Sequence, residues 1–362
     1  MATLYRETAR PAARHAFADG LMRTDRSIGG PWFDAWLLWG QPAIAFLLTW
    51  GLLTLAGQLP TAQADAVAGA FLAFVAILTY AHLIAVAPRA YLNRDVFGRF
   101  PRRFVVVPLL LLASFALSPA LLVIGMVLAV FWDVHHSAMQ TFGLGRIYDL
   151  KAGNDPLVLR RVDMLLNAAL YIGPIVAGAS MIEHVRAFES FATIEWTVFT
   201  RAPALVEGWS GSVRAAGVAA WLIVVGIAAL CYVRASRAGY RFSAHKKALL
   251  AVTATVSIAA WGLASPLVAF AAINLFHAVQ YFALVWLKEG KRITALTDRR
   301  PRLRRAALPL FVLACFAFGA AYWLAMGAGA ASASWFLAPF VTCSLLHFWY
   351  DGFVWSVRAK QV

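Results

Sequence analysis

Long apolar blocks alternate along this chain with short polar or basic stretches. Set against the roughly 20 residues a helix needs to cross a bilayer, the blocks predict ten membrane helices, over residues 32–56, 66–88, 104–118, 120–145, 162–184, 214–233, 247–263, 266–287, 306–326 and 335–357. Pro119 separates the third from the fourth, and Ser265-Pro266 separates the seventh from the eighth, because proline removes a backbone donor and restrains the residue before it. The expected fold is therefore all-α: a polytopic integral-membrane helical bundle. Its parts are an N-terminal tail (1–31), a single transmembrane domain (32–358) with one longer outer loop (185–213), and a short C-terminal tail (359–362). No soluble domain and no low-complexity linker interrupts the pattern, so any activity must sit on the helices.

Composition sharpens the class. With 62% hydrophobic and 14% charged residues and a mean hydropathy of +0.70, the chain is too apolar for a soluble globule. A formal charge of +15 would raise nucleic acid in a soluble protein; here it sorts by side. If the N-terminus is cytoplasmic, all Lys and Arg residues but Arg186, Arg201 and Arg214 fall in inward segments, as the positive-inside rule demands. Ten spans with both termini cytoplasmic fit that count. The expected location is a bacterial inner membrane, and nucleic acid is excluded as a partner because the basic residues are spread over six segments.

The tail carries Arg6, Arg10, Arg14, Arg23 and Arg26 without an apolar core, so no cleavable signal peptide is expected and the tail is read as lying on anionic lipid. Cys231, Cys315 and Cys343 have no CxxC spacing and read as packing residues. The outer loop, mildly acidic and bearing Trp196, Phe199 and Trp209, reads as a surface cap.

The histidines change the picture most. His15, His184 and His245 fall in the tail, at a helix end and in a basic loop. The remaining five sit on the second, fourth, eighth and tenth predicted helices. His135, His277 and His347 each precede a boundary cation (Arg146, Lys288, Arg358) by eleven positions, about 16 Å of helix, and His82 lies at a similar level before Arg89. Intramembrane ionisable groups are costly and tend to mark function. Neighbours three or four residues away share each histidine's face: Asp351 and Tyr350 with His347; Asn274, Gln280 and Tyr281 with His277; Asp133 and Gln140 with His136; Trp132 and Met139 with His135. This favours His136 as the ligand, with His135 as its outer neighbour or a ligand to a second metal. Asp163 and Asn167, close to Arg160 and Arg161, read as a structural polar pair.

Imidazoles converging from separate helices suit iron, zinc or copper better than magnesium or calcium. Asp351, Asp133, Gln140 and Gln280 are placed to accept the remaining ring N–H groups, and His347 with Asp351 forms an HxxxD spacing in which both side chains are candidate ligands. The aromatics around this level are explained mostly by packing and interfacial belts, and some are candidate walls of a pocket for an apolar substrate.

The order of the histidine-bearing helices, with "HAVQYFALVW" late in the chain and "LHFWYDGFVW" near its end, resembles the Brp/Blh membrane β-carotene dioxygenases. The likeness covers four short segments. It implies histidine-held iron, cleavage of a polyene by O2, and His82, His136, His277 and His347 as ligands, with Asp351 matching an acid after the last histidine. Val86 and Gln140 stand where the family's pattern offers an acid four residues after the first two histidines.

The leading expectation is thus a membrane enzyme: a non-haem iron oxygenase or related oxidoreductase, mono- or dinuclear, acting on a lipid or isoprenoid. Its expected partners are membrane lipids, a hydrophobic small molecule, O2 and, as a further candidate, an electron donor. Two alternatives stand beside it: an acyl- or other group transferase with one intramembrane His as general base, and an ion- or proton-coupled transporter, which predicts an internal repeat and broken helices.

Overall fold

The computed structural model describes residues 19–297, 301–327 and 334–356, among which helices are joined by turns and no strand occurs. His15, Arg358, most of the predicted N-terminal tail and all of the C-terminal tail lie outside the described residues.

Ten principal helices follow the predicted blocks: α1 (Pro31–Ala56), α2 (Thr61–Ile84), α3 (Pro101–Leu117), α4 (Pro119–Lys151), α5 (Arg160–Ala177), α6 (Ser210–Arg237), α7 (Ala244–Ser257), α8 (Pro266–Ala295), α9 (Ala307–Gly327) and α10 (Ser334–Val354). Seven stretches are long and apolar enough to cross a membrane, or eight if the bent pair Arg160–Ala177 and Met181–Ile194 counts as one span. The chain is therefore an all-helical protein with an integral-membrane pattern. Of the other two helices, α3 has only 17 residues, about 25 Å. In α10 the apolar run is diluted by polar residues, among them Ser344, His347, Tyr350 and Asp351.

Both proline boundaries have the same cause. Ser118 and Ser265 cap α4 and α8 by accepting from the amides of Leu121 and Val268, and Pro119 and Pro266 occupy first-turn positions that need no donor.

Burial ranks the helices. Of the most apolar stretch of α8, 83% is buried, against 11% for α6, so α8 is the axis of the bundle and α6 borders lipid with Leu222, Ile223, Ile227 and Leu230 exposed. Around α8 pack α1, α2 and α9, while α4 packs with α5 and α10, and α10 with α3. Small residues permit this closeness: a Cβ on Gly319 of α9 would lie 2.1 Å from the Ile77 carbonyl oxygen of α2.

Two expectations are corrected. The predicted fifth helix does not run unbroken to residue 184. It ends at Ala177 and turns by 100°, because Gly178 sits where a Cβ would be 2.4 Å from Gly262 Cα, and the amide of Ala179 and hydroxyl of Ser180 donate to the carbonyls of Gly262 and Trp261. Asp163 does not pair with Arg160 or Arg161. Its Oδ2 accepts from Arg146 (2.5 Å) and from Lys246 (2.7 Å), and both cations also reach Asp149 Oδ2 at 2.6 Å. Two cations and two anions, all within 4% of complete burial, thus bolt α4, α5 and α7 together. Tyr232 donates to Asp163, and Tyr240 to Asp149 at 2.5 Å. Burial, together with the adjacent Asp149 carboxylate, pushes the Tyr240 hydroxyl far up, which keeps it a donor.

The outer loop condenses into two 3₁₀ turns, Arg186–Ile194 and Phe199–Arg201, and a short helix, Ala202–Gly208. Phe188, Phe191, Trp196 and Phe199 stack with one another, and Phe188 lies 5.4 Å from Phe131 of α4, so the loop covers the outer part of that helix. Of the tail, Ser27 is buried and the amides of Ile28 and Gly29 donate to Asp34, which also accepts from Tyr148 of α4.

Candidate metal centre

Four helices each deliver one imidazole to a single point. His82 stands on the last turn of α2, His136 just past the middle of α4, His277 near the middle of α8 and His347 on α10. One ring nitrogen from each lies within 4.8 Å of all the others. The ring centroids are 4.9 Å apart for His82–His277 and His136–His277, 5.0 Å for His82–His347 and 4.7 Å for His136–His347. Alanines Ala81, Ala138 and Ala278, each fully buried beside one of these histidines, let the helices close on the rings.

The polar state of the cluster is informative. His82, His136, His277 and His347 are 1%, 3%, 1% and 0% exposed. Both ring nitrogens of His82 and of His277, and Nδ1 of His347, make no hydrogen bond among the described residues. Each such buried orphan costs about 1–3 kcal/mol. Meanwhile His136 Nε2 and His347 Nε2 face each other at 3.1 Å. Two nitrogens ~2.1 Å from a shared ion would stand ~3.0 Å apart at a right angle and ~3.4 Å apart in a tetrahedron. The widest spacing, up to 4.8 Å, exceeds the ~4.2 Å that two such bonds can span, so the donor set suits a d-block cation with the rings drawn in by a few tenths of an ångström, and nitrogen-only donors disfavour magnesium and calcium.

Asp351 stands beside this group with its two oxygens in different roles. Oδ1 accepts from the Tyr281 hydroxyl at 2.8 Å and the Trp355 indole at 3.0 Å. Oδ2 is left directed at His136 Nε2 (3.8 Å) and His347 Nε2 (3.9 Å). Tyr281, one turn beyond His277, also packs its ring edge-on against His347 at 4.6 Å. The Asp351 carboxylate is held in turn through Trp355, over which the Arg89 guanidinium stacks at 4.7 Å while it donates to Val354 O and Glu289.

The remaining predicted site residues are not part of the four-ring group, although His135 and Gln140 line the adjoining cavity. His135 is exposed and outside the four-ring group, since a helix turns neighbouring residues about 100° apart and only one of two adjacent histidines can face inward. Gln140 and Gln280 do not receive imidazole N–H groups. Gln140 donates to His277 O and to Gln280 Oε1 (3.2 and 2.9 Å), and Gln280 donates to Leu38 O at 2.7 Å, a relay that ties α4, α8 and α1 by backbone. Asp133 makes no hydrogen bond or ion pair among the described residues, its nearest charge-sensitive neighbours being Tyr80 and Tyr171. Tyr350 bonds Tyr91 instead of the site, and Asn274 its own helix at Phe270 O. From sequence, Arg89 reads only as a boundary cation and Trp355 only as one of the surrounding aromatics; the signal for a role at the site is that Trp355 is four residues after Asp351.

A cavity of about 480 Å3 reaches the cluster. His136, Asp351 and Tyr281 line one part of it, Arg146 and Arg160 another, and the walls between are Trp132, Met139, Phe142, Leu284, Phe348 and Trp349. The arrangement is a group of four histidines that could hold an ion, bordered on the His136 and Asp351 side by a largely apolar chamber. No family model, curated protein or solved structure matches this chain.

Proposed function

We propose that His82, His136, His277 and His347 hold one iron ion and that the protein is an integral-membrane oxygenase or related oxidoreductase acting on a hydrophobic lipid or isoprenoid. The observation that carries this reading is the convergence of four buried imidazoles with unpartnered nitrogens beside an apolar cavity. The bacterial inner membrane, ten spans and cytoplasmic termini belong to the same proposal, supported by the distribution of basic residues. Bound iron would supply activation of O2; the likeness of the four histidine segments to membrane carotene dioxygenases favours iron over zinc or copper. In a dioxygenase both oxygen atoms end in product, so no external reductant is required.

The chain's own residues then have distinct tasks. The imidazoles fix the ion, the aromatic walls exclude water, and Asp351 Oδ2 offers a carboxylate on the chamber side, oriented by Tyr281 and Trp355. A transferase that uses His347 or His136 as a base with Asp351 as its orienter is the second reading, favoured by the 3.8 and 3.9 Å approaches of Oδ2. It leaves three further converging imidazoles without a task.

Elemental analysis of detergent-purified protein decides: one iron per chain is expected, and metal-free protein with full activity on lipid extracts would overturn the proposal. Asp351→Asn keeps an acceptor for Tyr281 and Trp355 but places an amide donor toward two nitrogens. We expect the fold to persist and turnover or metal affinity to fall about 10–100-fold, measured by metal titration and product formation in parallel.

A further inference from the structure

The cavity has a polarity that the metal-centre reading does not use. On α4 its lining runs from Trp132 and His136 through Met139 and Gly143 to Arg146 and Ile147. Ten residues separate His136 from Arg146, about 15 Å of helix, so the chamber extends from the cluster to the basic end of α4. There Arg146 is fully engaged by Asp149, Asp163 and the Asp155 and Pro156 carbonyls. Arg160 is not: it is exposed, stands 5.8 Å over the Phe142 ring, and its guanidinium makes no hydrogen bond or ion pair among the described residues. The nearby acids Asp149 and Asp163 are already neutralised by Arg146 and Lys246. Between the two ends the wall is stripped of side chains at Gly143 and Gly352, where a Cβ would meet nothing within 4 Å. The fold has room for a side chain at either position, and a large one would take up cavity volume.

We propose that this chamber binds a single-chain amphiphile with an anionic oxygen head, seated head-first at Arg160, its apolar chain running past Gly143 and Gly352 toward His136 and Asp351. The guanidinium supplies paired donors that match a carboxylate or a phosphate. The walls of Trp132, Met139 and Phe348 supply the apolar contact, and about 480 Å3 is a volume typical of small-molecule sites. This deepens the oxygenase reading and rests on it only in making the occupant a substrate. Such a ligand differs from a headless hydrocarbon, which has no use for a cation at the far end of the chamber.

The test is binding of a fluorescent polyene fatty acid to the purified full chain, beside its methyl ester and an alkyl phosphate of equal length. The acid is expected to bind at least tenfold more tightly than the ester. Arg160→Gln is expected to cost the acid about tenfold, the strength of one charge-assisted hydrogen bond, and to leave the ester unchanged. Gly143→Leu is expected to weaken acid and ester alike. Tight binding of both acid and phosphate supports the shared head-group chemistry, and preference for one names the source. Equal binding of acid and ester, or indifference to both substitutions in protein whose thermal midpoint is unchanged, overturns the inference. Iron content is read on the same samples: binding that follows Arg160 in metal-free protein defeats the oxygenase reading and leaves the ligand site standing, whereas iron-replete protein blind to the head group does the reverse.

Discussion

Purified His277→Ala protein is expected to carry no iron. His277 is 1% exposed, both its ring nitrogens lack a partner, and it meets His82 and His136 at 4.9 Å. Apparent binding energies of four-ligand transition-metal sites are on the order of 10–16 kcal/mol, so an equal share per ligand is roughly 3–4 kcal/mol, or a few hundredfold to a thousandfold in affinity. That loss suffices to strip the ion during purification. His82→Ala and His347→Ala are expected to behave alike, since all four nitrogens belong to one group. His135→Ala, one residue from a ligand in sequence but exposed, should retain full metal. Inductively coupled plasma analysis of the four variants beside the unsubstituted protein is the measurement. A pattern in which a single histidine is essential and the other three are dispensable, with no metal in any sample, would instead establish the base-catalysed transferase.

The second large effect concerns folding. Lys246→Met should lower stability by about 3–5 kcal/mol, because it leaves Asp149 and Asp163 sharing Arg146 alone in a buried setting, one negative charge in excess. Asp163→Asn should cost a comparable amount by leaving the opposite excess. The double variant restores balance, with Arg146 and Asp149 still paired, and is expected to be more stable than either single variant. Thermal midpoints in one detergent, compared as a cycle, check this. Additive losses would show that the cluster acts as independent pairs and not as one neutral unit.

Much of the architecture was legible because a bilayer leaves few options: apolar length predicts helices, and prolines at 119 and 266 mark where they begin. The choice of His136 over His135 followed from helical phase, since only His136 shares a face with Gln140, and the structure brings His136 and not His135 into the four-ring group. What sequence hid was long-range pairing. Asp163 meets Lys246 across 83 residues and Arg146 across 17, while its sequence neighbours Arg160 and Arg161 point away. Gln140 and Gln280 lie on histidine-bearing faces, but their longer side chains reach backbone carbonyls of α8 and α1 instead of the rings. The break at Gly178 depends on a close approach to Gly262, which no local pattern encodes.

The four rings come from positions 82, 136, 277 and 347, so the last arrives only after most of the polypeptide has been synthesised. Until α10 inserts, His136 Nε2 lacks its neighbour at 3.1 Å and Asp351 is missing from the chamber side. The nascent chain therefore offers at most a three-ring pocket to passing cations during translation. On the proposed reading, complete capture of an ion would wait until α10 is in place, so that metal content would also report correct assembly of the bundle.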